Sequence, residues 1–240
     1  MTWRTPPFDR AADELVAYAR ATYAPLGIVV SGSIVRGDGG PTSDLDVHVV
    51  HAHGWRLREQ KRFAGVPAEL FVNPPRQVRR YFADEHAEGR PCTAHMFATG
   101  EVIEPAHPVI AELVREAREW LARPVPASDA ALTQMRYGIV DLLDDARDLA
   151  ADPVAAQLVL AEAVREIIDH AFAQRGLARP RRKHRIVALE AIDREAAALV
   201  RAWQPSSADA GLASVAELAR HVLGADGFFE WTSARDVVEA

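Results

Sequence analysis

Cysteine is almost missing from this chain: Cys92 stands alone among 240 residues. A lone thiol excludes an internal disulfide framework and fits a reducing compartment. Lysine is nearly as scarce. Only Lys61 and Lys183 accompany the arginines, a mark of genome composition rather than of function. No apolar run nears the ~20 residues that a bilayer-spanning helix needs. The N-terminal stretch MTWRTPPFDRAADE has no apolar stretch of the secretory-leader kind. The expectation is a cytoplasmic protein with no membrane partner. Excess positive charge is missing too: the formal net charge is −6, so bulk nucleic-acid binding is not expected. What is present is apolar material. At 49% hydrophobic, the chain can bury a real core, and 240 residues suffice for one large domain or two small ones.

The character of the chain changes near residue 106. Before it, helices and strands alternate. Apolar spacing predicts a helix over Pro7–Ala24, and the β-branched run Leu26–Ser31 predicts a strand. A second strand is expected at Leu45–Val50, and a hairpin of Arg58–Phe63 and Pro67–Val72 joined at Ala64-Gly65-Val66. Helices follow at Arg76–Glu88 and Pro91–Gly100, then a brief strand at Glu101–Ile103. After Pro105 the pattern is helical throughout, with helices expected at 108–122, 127–150, 153–175, 183–202, 209–223 and 227–239, punctuated by prolines. Residues 1–106 carry 12 basic and 13 acidic side chains, and 107–240 carry 16 and 21, so the negative charge sits mainly in the helical half. The fold class read from this order is α+β: a mixed-sheet domain over 1–106, followed by an all-α helical bundle over 107–240.

One stretch holds two signals that rarely share a strand. GSIVRGDGGPTSDLDVHVV, Gly32 to Val50, opens as a glycine-rich turn and closes as a buried strand bearing two acids. Residues two apart on a strand share a face, so Asp44 and Asp46 project together while Leu45, Val47 and Val49 face a core. Adjacent carboxylates repel and resist desolvation. Solvent exposure, a shared proton or a bound divalent cation would each reconcile them. Mg²⁺ favours a few carboxylates plus substrate phosphates. A cation gives the turn its purpose: Gly32 admits close approach of an anion, Ser33 offers a hydroxyl and a helix cap, and Arg36 adds a planar fork of donors. Glu69, in the apolar strand Pro67–Val72, is the candidate third acid. Three carboxylates form a site of the two-metal kind that clamps the attacking and leaving oxygens of a phosphoryl transfer.

Gly32-Ser33-Ile34-Val35-Arg36-Gly37, then Ser43-Asp44-Leu45-Asp46, then Glu69 resemble the signature of the DNA polymerase β-type nucleotidyltransferase superfamily. That signature is an apolar strand, Gly-Ser, about ten residues, Asp-x-Asp or Asp-x-Glu, and a distant acid. The Arg-Gly and the Ser before the acid pair are similar to the small bacterial branch, which includes aminoglycoside and lincosamide nucleotidyltransferases and the minimal nucleotidyltransferases of toxin–antitoxin pairs. The resemblance spans residues 24–104. It implies a mixed-sheet catalytic domain and transfer of a nucleoside monophosphate from an NTP, such as ATP, to a hydroxyl, with two Mg²⁺ ions. Asp44 and Asp46 would hold both ions. Glu69 would hold the catalytic one and could take the hydroxyl proton. Ser33 and Arg36, beside Gly32, would hold the outer phosphates. An all-helical second domain is similar to the substrate-side domain of the antibiotic-modifying members. The implied acceptor is a small hydroxylated molecule, an antibiotic as the leading case. A protein- or RNA-modifying antitoxin and a catalytically silent nucleotide-binding module are the alternatives. A homodimer with a cleft between subunits fits the family.

Three further clusters carry competing readings. His48, His51 and His53 have a zinc-like spacing without a cysteine, and ordinary surface histidines are the expectation. Asp141, Asp144, Asp145 and Asp148 form an acidic stripe at helical spacing. It reads as a solvated face partly paired with Arg136 and Arg147, or as a surface that attracts a cationic substrate, with Asp141, Asp144 and Asp145 as the contact residues. The run Arg179-Pro-Arg-Arg-Lys183-His184-Arg185 reads as a basic loop or as a second source of triphosphate contacts through Lys183. Arg179 and His184 match the loose Arg-x4-His spacing of helical HEPN ribonucleases, but Pro180 stands where that motif needs a helix.

Overall fold

Apolar spacing fixes the first helix, α1 (Phe8–Tyr23), which buries Ala11, Ala12, Leu15, Val16, Ala19 and Tyr23 along one stripe. It stops where Ala24 turns left-handed. The structure, a computed structural model, describes residues 3–103, 105–203 and 208–233. The chain divides into two compact units, Met1–Arg123 and Pro124–Ala240.

In the first unit α1 leads into β1 (Gly27–Ser31), buried along its whole length. A single helical turn, α2 (Ser33–Arg36), then precedes β2 (Leu45–Val50). The strands β3 (Leu57–Phe63) and β4 (Val66–Asn73) form the expected hairpin. Ala64 and Gly65 both have positive φ at its tip, as a two-residue turn matched to strand twist requires. Helices α3 (Pro75–Ala87) and α4 (Cys92–Thr99), the short strand β5 (Glu101–Ile103) and α5 (Pro108–Ala122) complete the unit. The sheet runs β3-β4-β2-β1-β5. Among the described residues only the β2–β4 pair is parallel, so the sheet is mixed, as the α+β reading expects.

Strand alternation assigns the two faces. Leu45, Val47 and Val49 pack with Leu15, Ala19 and other residues of α1. Val29 and Val50 point the other way and pack with Val78, Phe82, Ala94, Phe97, Ile110, Leu113 and Ala117 from α3, α4 and α5. Asp46 and His48 share strand parity with Val50 and lie on this second face. Helix α5 therefore belongs to the first unit by packing. Composition shifts at 106/107, but the break in packing falls between Arg123 and Pro124.

The second unit contains α6 (Asp129–Asp148), α7 (Pro153–Ala173), a 3-10 turn over Arg182–His184, α8 (Arg185–Ile192), α9 (Arg194–Ala202) and α10 (Ala208–Leu223). Its core joins Ile139, Leu143, Leu160, Ile167, Leu189 and Leu218. Ser128 and Asp152 cap α6 and α7, each accepting a backbone N–H at 3.1 Å. Two expectations change here. The helix expected over 183–202 is broken. Asp193 leaves the helical region at φ −157°, and its carboxylate caps the next helix by accepting the Ala196 N–H at 2.9 Å. The helix expected over 227–239 has no helical residue within 227–233, and its remainder lies outside the described residues. Among the described residues no helix is long and apolar enough to cross a membrane.

Candidate active site

The β2–β4 register decides the site. In this parallel pair Asp46 stands opposite Glu69. Asp44 lies just before β2, with the same strand parity as Asp46. One carboxylate oxygen from each of Asp44, Asp46 and Glu69 lies within 4.8 Å of the others. Among the described residues this is the one cluster of three or more His, Cys, Asp or Glu side chains whose donor atoms converge enough to hold a metal ion. Asp44 and Asp46 are half-buried and Glu69 is buried.

The electrostatics follow from that packing. Burial first, then the Asp44 and Glu69 charges, push the Asp46 carboxyl from its ordinary 3.8 up to about 6, while Arg36 and Arg58 pull against the shift. A divalent ion relieves such a strain directly, because it turns mutual repulsion into shared ligation. An all-oxygen donor set of carboxylates suits Mg²⁺ or Mn²⁺, so the residues present fit the metal that the sequence pattern implies.

The glycine-rich turn lies against the acids. Gly32 has φ 99°, and a Cβ built there would stand 2.6 Å from the Asp46 Oδ2 atom. Only glycine fits this close approach at this φ. Gly32 is itself the residue that caps α2, and Ser33 is the first helical residue. The expectation that Ser33 supplies the cap is thus corrected. The Ser33 hydroxyl instead donates to Ser43 Oγ at 2.9 Å, and Ser43 Oγ accepts the Gly40 N–H at 2.8 Å. The clasp ties both ends of the 32–43 loop together beside Asp44. Arg36 extends from the end of α2, with Nε 3.4 Å from Asp38 Oδ1.

Two members of this neighbourhood escaped the sequence reading. One is Ser43 as the loop's clasp. The other is Arg58, whose guanidinium forms an ion pair with Glu69 and lies 5.0 Å from the Phe71 ring centroid. A signal for Arg58 existed. A two-residue turn at Ala64-Gly65 sets Gln60 opposite Glu69, which puts Arg58 and Gln60 on the Glu69 face. Placing the turn across three residues hides that register.

The other candidates stand apart from the cluster. His48 is not a surface residue. It is fully buried between the Phe71 and Phe97 rings, with centroids 4.9 and 4.8 Å away. His51 is also buried; it accepts the His53 N–H on Nδ1 and packs against Trp55 at 4.2 Å. The three histidines do not converge on a metal position. In the second unit Asp141, Asp144 and Asp145 are exposed on α6. Asp144 pairs with Arg147, whereas Arg136 lies over the Phe229 ring at 4.2 Å. Lys183 sits on the 3-10 turn, exposed to solvent. Arg185, at the end of the same basic run, is engaged by the buried Asp169 at 3.0 Å.

Comparison with known proteins bears on the same residues. No curated protein matches the chain. A nucleotidyltransferase-like protein from Exiguobacterium sibiricum, solved as a crystal structure, is 13% identical, with a TM-score of 0.49 over 89% of this chain and 74% of that one. At that distance the assignment depends on the residues themselves and on the family model. The model of the nucleotidyltransferase domain matches residues 13–88, from within α1 to just past α3. Every acid of the cluster, the Gly32-Ser33 turn and the strand pair that aligns them fall inside that span, so residues 13–88 are similar to a nucleotidyltransferase domain and hold the whole candidate site.

Proposed function

We propose that the chain transfers a nucleoside monophosphate from an NTP to a hydroxyl of a small molecule in a Mg²⁺-dependent reaction. The observation that carries the reading is the alignment of Asp46 with Glu69 across the parallel strand pair, with Asp44 beside them and all three carboxylates within 4.8 Å. Asp44 and Asp46 would ligate two divalent ions, and Glu69 one of them. Such ions, when bound, supply positive charge for the triphosphate and for the developing oxyanion. The acceptor hydroxyl attacks the α-phosphorus in line, the bond to the bridging oxygen breaks, and pyrophosphate departs with the electron pair. Glu69 would accept the hydroxyl proton. Gly32 and Ser33 offer backbone approach and a hydroxyl to the outer phosphates, and Arg36 offers a cation. Most of the rate enhancement would come from positioning and charge neutralisation.

In the helical unit, the exposed Asp141, Asp144 and Asp145 are the proposed attraction for a cationic acceptor, an antibiotic among them. The decisive experiment is calorimetric titration with ATP, GTP, CTP and UTP, with and without Mg²⁺, on the natural chain and on Asp44→Asn/Asp46→Asn. Binding of one nucleotide that requires both Mg²⁺ and the aspartates supports the reading. Nucleotide binding that is indifferent to both refutes it.

A further inference from the structure

Glu69 already has a cation. Arg58 reaches it from β3, its Nε donating to Oε1, while Gln60 donates to the same oxygen at 3.4 Å. The two partners differ in exposure: the Arg58 side chain is 67% accessible and Glu69 only 11%. The guanidinium also lies along the Phe71 ring, so it has an apolar surface to rest on when it is not paired. Arg58 lowers the cost of ionising Asp46 as well. With Arg36, it is therefore one of two cations that offset the three converging carboxylates in the metal-free chain, and it is the one paired directly with Glu69.

A divalent ion shared by these carboxylates needs the lone pairs of Glu69. An arginine hydrogen-bonded to Oε1 occupies one of them and repels the ion at short range. We propose that Arg58 is the internal counter-ion of Glu69: it holds this carboxylate in position without metal, and it competes with the incoming ion for it. The inference rests on the metal reading of the Asp44–Asp46–Glu69 cluster. Because Arg58 is largely exposed, its withdrawal exposes little new surface and needs no rearrangement of the sheet. The consequence is a site held below its full affinity for free metal. It then loads more readily with an ion that arrives already bound to a triphosphate, because the nucleotide adds negative charge of its own.

The test is Mn²⁺ binding without nucleotide, followed by calorimetry or by loss of the free-ion electron spin resonance signal. The chains compared are the natural one, Arg58→Gln, Arg58→Lys and Arg62→Gln. The last removes the same charge from the same strand at a side chain that donates to Gly65 O. Removing a competing charge-assisted hydrogen bond is expected to tighten Mn²⁺ binding in Arg58→Gln by about tenfold. Arg62→Gln is expected to change it by less than about twofold, as distant exposed charges are screened, and Arg58→Lys to stay near the natural chain. A structural role alone would weaken binding in Arg58→Gln or leave it unchanged, and either result overturns the inference while the metal site stands. Absence of Mn²⁺ binding by every chain, with or without NTP, would remove the metal reading and the inference with it.

Discussion

Asp46 and His48 lie two residues apart on one face of β2 and respond to acid in opposite senses. Asp46 binds its proton more tightly in the folded, metal-free chain than unfolded, with a carboxyl near 6 against 3.8. Its ionised form costs stability, a cost that appears as pH rises from about 4 to about 6. His48 is the reverse. Burial pushes it from 6.5 down to about 3, so its contribution is complete above pH 6.5 and is lost as pH falls toward 3. In chelator at pH 7, Asp46→Asn is expected to be more stable than the natural chain, by on the order of 2 kcal/mol. Mg²⁺ should stabilise the natural chain and not the variant. Urea unfolding with EDTA or Mg²⁺ measures both, and a natural chain no less stable than Asp46→Asn in EDTA would contradict the charge argument. For His48, neither ring nitrogen has a hydrogen-bond partner among the described residues. His48→Leu removes buried unsatisfied nitrogens and is expected to hold or raise stability at pH 7 and to flatten the loss between pH 6.5 and 4. Unfolding curves at three pH values decide it. At this scale the acids were legible because carboxylates on an apolar strand have no packing reason to be there. The burial of His48 was not, since alternation alone cannot say which helices cover a sheet face.

At the scale of elements, the turn and the caps fix what the residues can do. Gly32 holds a φ open chiefly to glycine, and its missing Cβ leaves room for Asp46. Gly32→Ala is expected to lose stability by about 1–3 kcal/mol. It should weaken Mg²⁺–NTP binding by more than its effect on folding, because the clash falls on Asp46, a proposed ligand carboxylate. Calorimetry on the folded variant separates the two, and unaltered nucleotide binding would show that the turn tolerates a side chain. Asp193 ends α8 and begins α9, and it also accepts from Arg175 at 3.3 Å and from His221 Nε2 at 3.0 Å. Asp193→Ala is expected to destabilise the helical unit by about 1–2 kcal/mol, as a lost cap does. Thermal unfolding should record it, with Asp193→Asn retaining part of the cap. Periodicity predicted one helix over 183–202 because both faces continue through Asp193. The interruption is set by a side chain that bonds its own backbone rather than by the apolar pattern.

At the scale of the molecule, composition and packing mark different points. The sequence changes character at 106/107, yet Ile110, Leu113 and Ala117 of α5 complete the core around Phe82 and Phe97. A polypeptide ending at Arg123 is expected to unfold cooperatively. One ending at Ala106 should expose that core face and associate or fail to fold. Circular dichroism melts and size-exclusion elution of the two lengths test this, and a well-folded 1–106 chain would show α5 to be dispensable. The sequence by itself determined the element order, the alternation that puts Asp44 and Asp46 on one face, and the Gly-Ser turn that precedes them. Those are local properties, set by side-chain period and backbone preference within a few residues. Only the tertiary structure decided that β4 lies parallel to β2 in the register that sets Glu69 opposite Asp46, and that Arg58 reaches the same carboxylate. Strand order and register depend on which faces are buried together across the sheet, and contacts between distant segments carry that information.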